Sequence, residues 1–218
     1  MTIIAIANRV DGVGKTTVAM QLGAVLSRRF KVLVVNVDPQ STVWWAGNAP
    51  DRLPFDFTGN QSPSLLARIR GSRAEYDFVF VDTPGSLEDT PILEAVLDAA
   101  DFVVVPLTPE PLTVDPTMRT LSRLIEPRHL RHAVLLNRID TRAFRQLSTW
   151  RVLLDTKFGV PRFDTYLRQY KAHADAPLLR ELVTNASSTG RTAGFISDVT
   201  RLGNEMCGQF SLAHARTW

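Results

Sequence analysis

Apolar positions in this chain fall into short unbroken runs separated by stretches of helical spacing. Ile3–Ala7, Lys31–Asp38, Tyr76–Asp82, Ala99–Pro109 and Ala133–Arg138 are runs rich in Val, Ile, Leu, Ala and Phe, without polar alternation. Such runs predict strands covered on both faces, as in a parallel sheet. Between them, Val18–Leu26, Val114–Ile125 and Thr141–Thr156 have helical spacing, as has Thr189–Phe210 near the C-terminus. A short helix is expected over Ser64–Arg70, a short strand or edge segment around Leu53–Phe57, and a last short strand over Phe158–Phe163. Strands alternating with helices predict an α/β fold with a mostly parallel twisted sheet flanked by helices. Residues 1–210 are expected to form a single domain, and 211–218 a flexible C-terminal tail.

The turn after the first strand changes this from a fold into a chemistry. Asn8-Arg9-Val10-Asp11-Gly12-Val13-Gly14-Lys15-Thr16-Thr17 joins a strand to a helix start. Gly12 and Gly14 let the chain curl so that successive N–H groups point inward, and the helix N-terminus adds positive potential, an arrangement suited to phosphate. Lys15 can reach β- and γ-phosphates, and the Thr16 hydroxyl can ligate Mg²⁺. The common pattern G-x-x-x-x-G-K-[ST] has glycine where this chain has Arg9. The deviant form K-G-G-x-G-K-[ST] has lysine and glycine where this chain has Val10 and Asp11.

Two more segments fit the same site. The second strand run ends Asn36-Val37-Asp38-Pro39-Gln40, and Tyr76–Asp82 delivers Asp82 into Thr83-Pro84-Gly85. An apolar strand ending in aspartate beside a glycine is a Walker B arrangement: Asp82 can hold Mg²⁺ through water and Gly85 can sense a γ-phosphate. Asn137-Arg138-Ile139-Asp140 closes the strand run that begins at Ala133, and its likeness to N-K-x-D keeps a GTPase as a minor reading.

With these residues in place, the chain resembles the ParA/MinD superfamily of deviant-Walker P-loop ATPases. It is most similar to the short ParA type without an N-terminal DNA-binding domain, with an atypical loop that lacks the signature lysine. The resemblance implies ATP/ADP and Mg²⁺ as cofactors. Arg9, Asp11, Gly12, Val13, Gly14, Lys15, Thr16 and Thr17 then bind phosphates, with Asn137 and Arg138 near the base. Lys15, Asp38 and Asp82 take the catalytic roles, Asp38 orienting the attacking water, and Thr16, Asp38 and Asp82 face the metal. It further implies an ATP-dependent homodimer, non-specific DNA binding with Arg191 and Arg201 as candidates, and a centromere-binding adaptor of the ParB/ParG kind. The leading function is DNA partition with slow, partner-stimulated hydrolysis. The alternatives are an McdA-like cargo-positioning ATPase, or a nucleotide-dependent DNA-binding scaffold with little hydrolysis. Val10 cannot cross to a second subunit's phosphates, so Arg9, Lys171 or another cation has to supply that charge. Asp11 is expected to bring a buried carboxylate to the phosphate site, which is costly unless paired.

Composition narrows the setting. The 218 residues are 44% hydrophobic and 22% charged, with a net charge of +3. This mildly basic balance is not that of a dedicated nucleic-acid clamp. No apolar run reaches the ~18 residues of a membrane span, and a MinD-like amphipathic membrane helix is not evident, so a cytoplasmic, nucleoid-associated protein without membrane contact is expected. The single Cys207 excludes an internal disulfide, and His129, His132, His173 and His214 lack metal-ligand spacing.

Overall fold

The computed structural model describes residues 1–38, 53–59, 75–85, 90–170, 182 and 193–210. Among them, six strands form one parallel sheet: β1 (Thr2–Ile6), β2 (Val32–Asn36), β3 (Asp56–Gly59), β4 (Phe78–Asp82), β5 (Phe102–Leu107) and β6 (His132–Leu136), in the order β3-β2-β4-β1-β5-β6. The helices are α1 (Lys15–Leu26), α2 (Thr90–Ala99), α3 (Pro111–Thr120), α4 (Gln146–Val152) and α5 (Ala193–Gln209).

The unbroken apolar strands have the cause expected of them. Every residue of β2, β4 and β5 is buried, and alternate side chains feed two cores. Ile4, Ile6, Val34, Phe78, Phe80 and Val104 face α1 and α5. Ile3, Ala5, Val35, Val79, Val81 and Val105 face Leu93, Val96 and Leu97 of α2 and the segment after α3. Edge strand β3 is only partly buried. The Tyr76 hydroxyl, on the approach to β4, donates to Asp56 Oδ2 at 2.9 Å and ties β3 in.

The structure departs from the expected boundaries at particular residues. The helix expected over Val114–Ile125 starts at Pro111, where a missing N–H costs nothing in a first turn. It then widens into a π turn at Leu121–Ile125. The expected Phe158–Phe163 strand is reduced to a bridge between Val134 and Arg162, because the helical segment runs on to Phe158 before Gly159 (φ 61°) ends it. Helix α4 begins only at Gln146, after Arg145 in the left-handed region. The expected Ser64–Arg70 helix and the 211–218 tail lie outside the described residues, as do Pro39, Gln40, Lys171 and Arg191.

What matters for the site is the carboxyl edge of the sheet. Strand β1 lies between β4 and β5, and the last residue of β4, Asp82, is in register with Ile6 on one side and Asn36 on the other. The loops leaving β1, β2 and β4 therefore open side by side.

Candidate nucleotide site

The loop from Asn8 to Gly14 is shaped by its glycines. Gly12 (φ 73°) and Gly14 (φ 92°) occupy the left-handed region, and Gly14 forms the N-cap of α1. A β-carbon at Gly14 would come within 2.4 Å of Asn137 Nδ2. Steric room and backbone angle therefore both require glycine there. Asn137 approaches so closely because its Nδ2 donates to the carbonyl of Val13 at 2.7 Å. Its Oδ1 accepts the Arg138 N–H at 2.9 Å, Arg138 being exposed and left-handed (φ 58°). Asn137, buried and read in the sequence as a neighbour of the base, thus holds the phosphate-loop backbone with its Nδ2 and its own next residue with its Oδ1.

Lys15 opens α1 with only 7% of its surface exposed, and its Nζ donates to Val10 O at 2.9 Å. Burial pushes the Lys15 pKa down, while the negative charges of Asp82, Asp11 and Asp38 pull it back up. Those three carboxylates come from the loop after β1, the segment after β2 and the last residue of β4, and their convergence on one ammonium is the electrostatic centre of the site. Asp82 is 1% exposed. Asp38 is half-buried, and its N–H is held by Asn36 Oδ1 at 2.9 Å. The Asn36 side chain thus fixes the backbone that carries Asp38. Thr16 and Thr17 are half-buried in the first turn of α1, beside amides that have no helical partner of their own.

The expectation of a buried carboxylate at Asp11 is corrected. Its side chain is 83% exposed and lies 4.0 Å from Lys15 Nζ, because solvation costs less than burial for an anion with a single cation beside it. The carboxylate rests against Gly85, where a β-carbon would fall 2.0 Å from Asp11 Oδ1 and 2.7 Å from Lys15 Nζ. Any larger residue there would push the Asp11 carboxylate and the Lys15 ammonium aside. Thr83 fastens the turn before it, donating its hydroxyl to Ile6 O at 2.9 Å.

Lys15, Asp11, Asp38, Asp82, Gly85 and Asn137 are thus brought together from across the chain. Arg9 and Val10 are half-buried at the start of the loop. Arg201 is not part of this group: on α5 its Nη2 lies 2.6 Å from Oδ1 of the buried Asp198. Sequence reading passed over Asn8, which is fully buried and tied to α3. An asparagine at a strand end beside a glycine loop was the available signal.

Among the described residues no cluster of three or more His, Cys, Asp or Glu stands ready for a metal. Mg²⁺ at phosphate sites is held by one or two carboxylates with waters and phosphate, and the Asp38 and Asp82 carboxylates with the Thr16 hydroxyl suit such a set. No helix among the described residues is long and apolar enough to cross a membrane.

Comparison with known proteins agrees with this geometry. Residues 4–183 match the family described as the CobQ/CobB/MinD/ParA nucleotide binding domain. The chain is 39% identical over 178 residues to the maintenance of carboxysome distribution protein A (McdA) of Gloeobacter kilaueensis, covering 81% of each chain. It is 27% identical to the chromosome-partitioning ATPase Soj of Thermus thermophilus, covering 85% of this chain and 88% of that one. Its fold matches the ATP complex of a Cyanothece McdA variant with a TM-score of 0.70 at 18% identity, over 95% of this chain and 96% of that one. Similarity of this extent places the chain in the CobQ/CobB/MinD/ParA family of nucleotide-binding domains.

Proposed function

We propose that the chain is an ATPase that distributes a cargo within the cell, as its McdA relatives are named for doing, switching between states as it binds and hydrolyses ATP. The observation that carries the nucleotide half of this reading is the convergence of Asp11, Asp38 and Asp82 on Lys15 at the N-terminus of α1. In this reading the amides of Gly12–Thr17 cradle the phosphates and Lys15 leaves Val10 O to bind the β- and γ-oxygens. Thr16, Asp38 and Asp82 would hold Mg²⁺, which offsets phosphate charge, and Asp38 orients the attacking water. Asn137 keeps the loop in shape, with Arg138 beside it toward the base. Two chains meet over their nucleotides; Val10 offers no charge to the partner, so the neighbouring Arg9 supplies it. The ATP-bound dimer holds non-specific DNA, and an adaptor protein stimulates slow hydrolysis.

The choice of cargo rests on similarity. Identity of 39% to an McdA protein against 27% to Soj favours distribution of a protein assembly. The likeness to Soj supports DNA partition as the second reading. Imaging separates them. A fluorescent fusion should collect on the nucleoid, become diffuse in Lys15→Ala, and its deletion should cluster a protein cargo while plasmids and chromosomes are retained. Loss of DNA retention with cargo undisturbed would transfer the assignment to partition.

A further inference from the structure

Helix α3 carries threonine at positions 113, 117 and 120, a spacing that puts all three on one helical face. All three are buried, Thr117 completely. That face meets the start of the phosphate loop. Asn8, also without exposed surface, uses both hydrogens of its amide there: Nδ2 donates to Pro106 O at 2.9 Å and to Thr117 Oγ1 at 2.8 Å. The Thr117 hydroxyl in turn donates to Thr113 O at 2.7 Å, so it is fully engaged. Thr113 Oγ1 lies 3.1 Å from Thr108 O and 2.8 Å from Glu110 O, tying the relay back to the exit of β5. Thr120 Oγ1 lies 3.0 Å from Pro116 O and 3.4 Å from Asn8 Oδ1, and accepts the Arg9 N–H at 3.3 Å.

A purely packing role would be served better by valine, which has the same shape and brings no hydroxyl into the core. The Thr117 and Thr120 hydroxyls are instead joined to Asn8 and the Arg9 N–H, where the chain leaves β1 for the loop. Directly after Thr120 the helix widens into its π turn, with Leu121, Leu124 and Ile125 buried against the sheet. Such widened turns are frequent at functional sites. Here the widening lets the leucines and the isoleucine fill the core while the threonines keep facing Asn8.

We propose that Thr117 and Thr120 are positioning residues of the nucleotide site: through Asn8 and the Arg9 amide they set the path on which the phosphate loop leaves β1. The proposal rests on the nucleotide-binding reading above, and two measurements keep the two apart. The first needs no nucleotide. Hydrogen–deuterium exchange of the peptide covering residues 8–17 should speed up in Thr117→Val and in Thr120→Val, and return to the wild-type rate in Thr117→Ser. The second is titration with ATP and Mg²⁺, in which Thr117→Val should bind about tenfold more weakly, the equivalent of one hydrogen bond, while Thr117→Ser binds as wild type. Both variants should melt as cooperatively as wild type, which separates positioning from general damage. Unchanged loop exchange in both valine variants would overturn the tether. Faster exchange with unchanged ATP affinity would overturn its role in the site. A wild-type protein that binds no ATP would refute the nucleotide reading and the positioning role with it, while the exchange data still decide whether the tether exists.

Discussion

The Lys15 ammonium donates to the backbone carbonyl of Val10 at 2.9 Å. The residue standing where ParA relatives have their signature lysine therefore acts through its backbone, as the resting partner of the loop's own lysine. On the proposed function, phosphate has to displace that carbonyl, and Asp11, 4.0 Å from the same ammonium, is its second competitor.

Removing the competing carboxylate should help the phosphate. In Asp11→Asn, ATP is expected to bind about twofold to fivefold more tightly, the modest size that an exposed ion pair allows. Titration at low and high salt checks this, and the gain should shrink as salt rises. A loss of affinity would show that Asp11 takes part in nucleotide binding itself.

Asn137 and Gly14 form a second coupled pair. Asn137→Ala deletes the bond to Val13 O and leaves that carbonyl without the partner it has in a buried place, a loss of about 1–3 kcal/mol in stability. Gly14→Ala should be worse for nucleotide binding, since the added methyl meets Asn137 at a backbone angle of φ 92°. Denaturant melts and ATP titrations of both variants test the ranking.

Much of this was legible beforehand, for physical reasons. Unbroken apolar strands declare a doubly covered sheet, and Gly12–Thr17 with Asp38 and Asp82 carry the proposal of a phosphate site through backbone and charge requirements that act locally. The Asn8–Thr117 contact was not legible, since it joins residues 109 apart and buried threonine has no distinct pattern in sequence. The exposure of Asp11 escaped because it depends on Gly85 leaving room beside it. Arg201 read as a free basic residue, and only packing reveals Asp198 buried beside it.

That same Asp198 makes α5 sensitive to one residue. Arg168 Nε and Nη2 reach its two oxygens at 2.7 and 2.8 Å, and Nη2 also donates to Gly194 O at 2.7 Å. Arg168→Ala removes the guanidinium fork from a fully buried carboxylate, leaving it Arg201 and the N–H of residue 168, and should cost about 3 kcal/mol. Arg168→Lys, which lacks the fork, should recover only part of it. Chemical denaturation measures both.

Edge strand β3 gives the pH prediction. Burial, with the bond to Asp56 adding to it, pushes the Tyr76 pKa up from 10.0 to about 12. A pKa raised in the folded state means that the protonated phenol favours folding. Its contribution is complete below pH 10 and is lost as the pH climbs toward 12. Wild-type stability should therefore fall across that window, and Tyr76→Phe should fall less steeply, as thermal melts at stepped alkaline pH would record.

The central claim is a nucleotide-driven switch that works without a lysine at position 10. Light scattering of the full chain with ADP, and with ATP and Mg²⁺, tests it most directly, with Lys15→Ala as control. The expected result is a dimer with ATP only, absent in Lys15→Ala and weakened in Arg9→Ala. A monomer in both nucleotides, from a protein that demonstrably binds ATP, would contradict it.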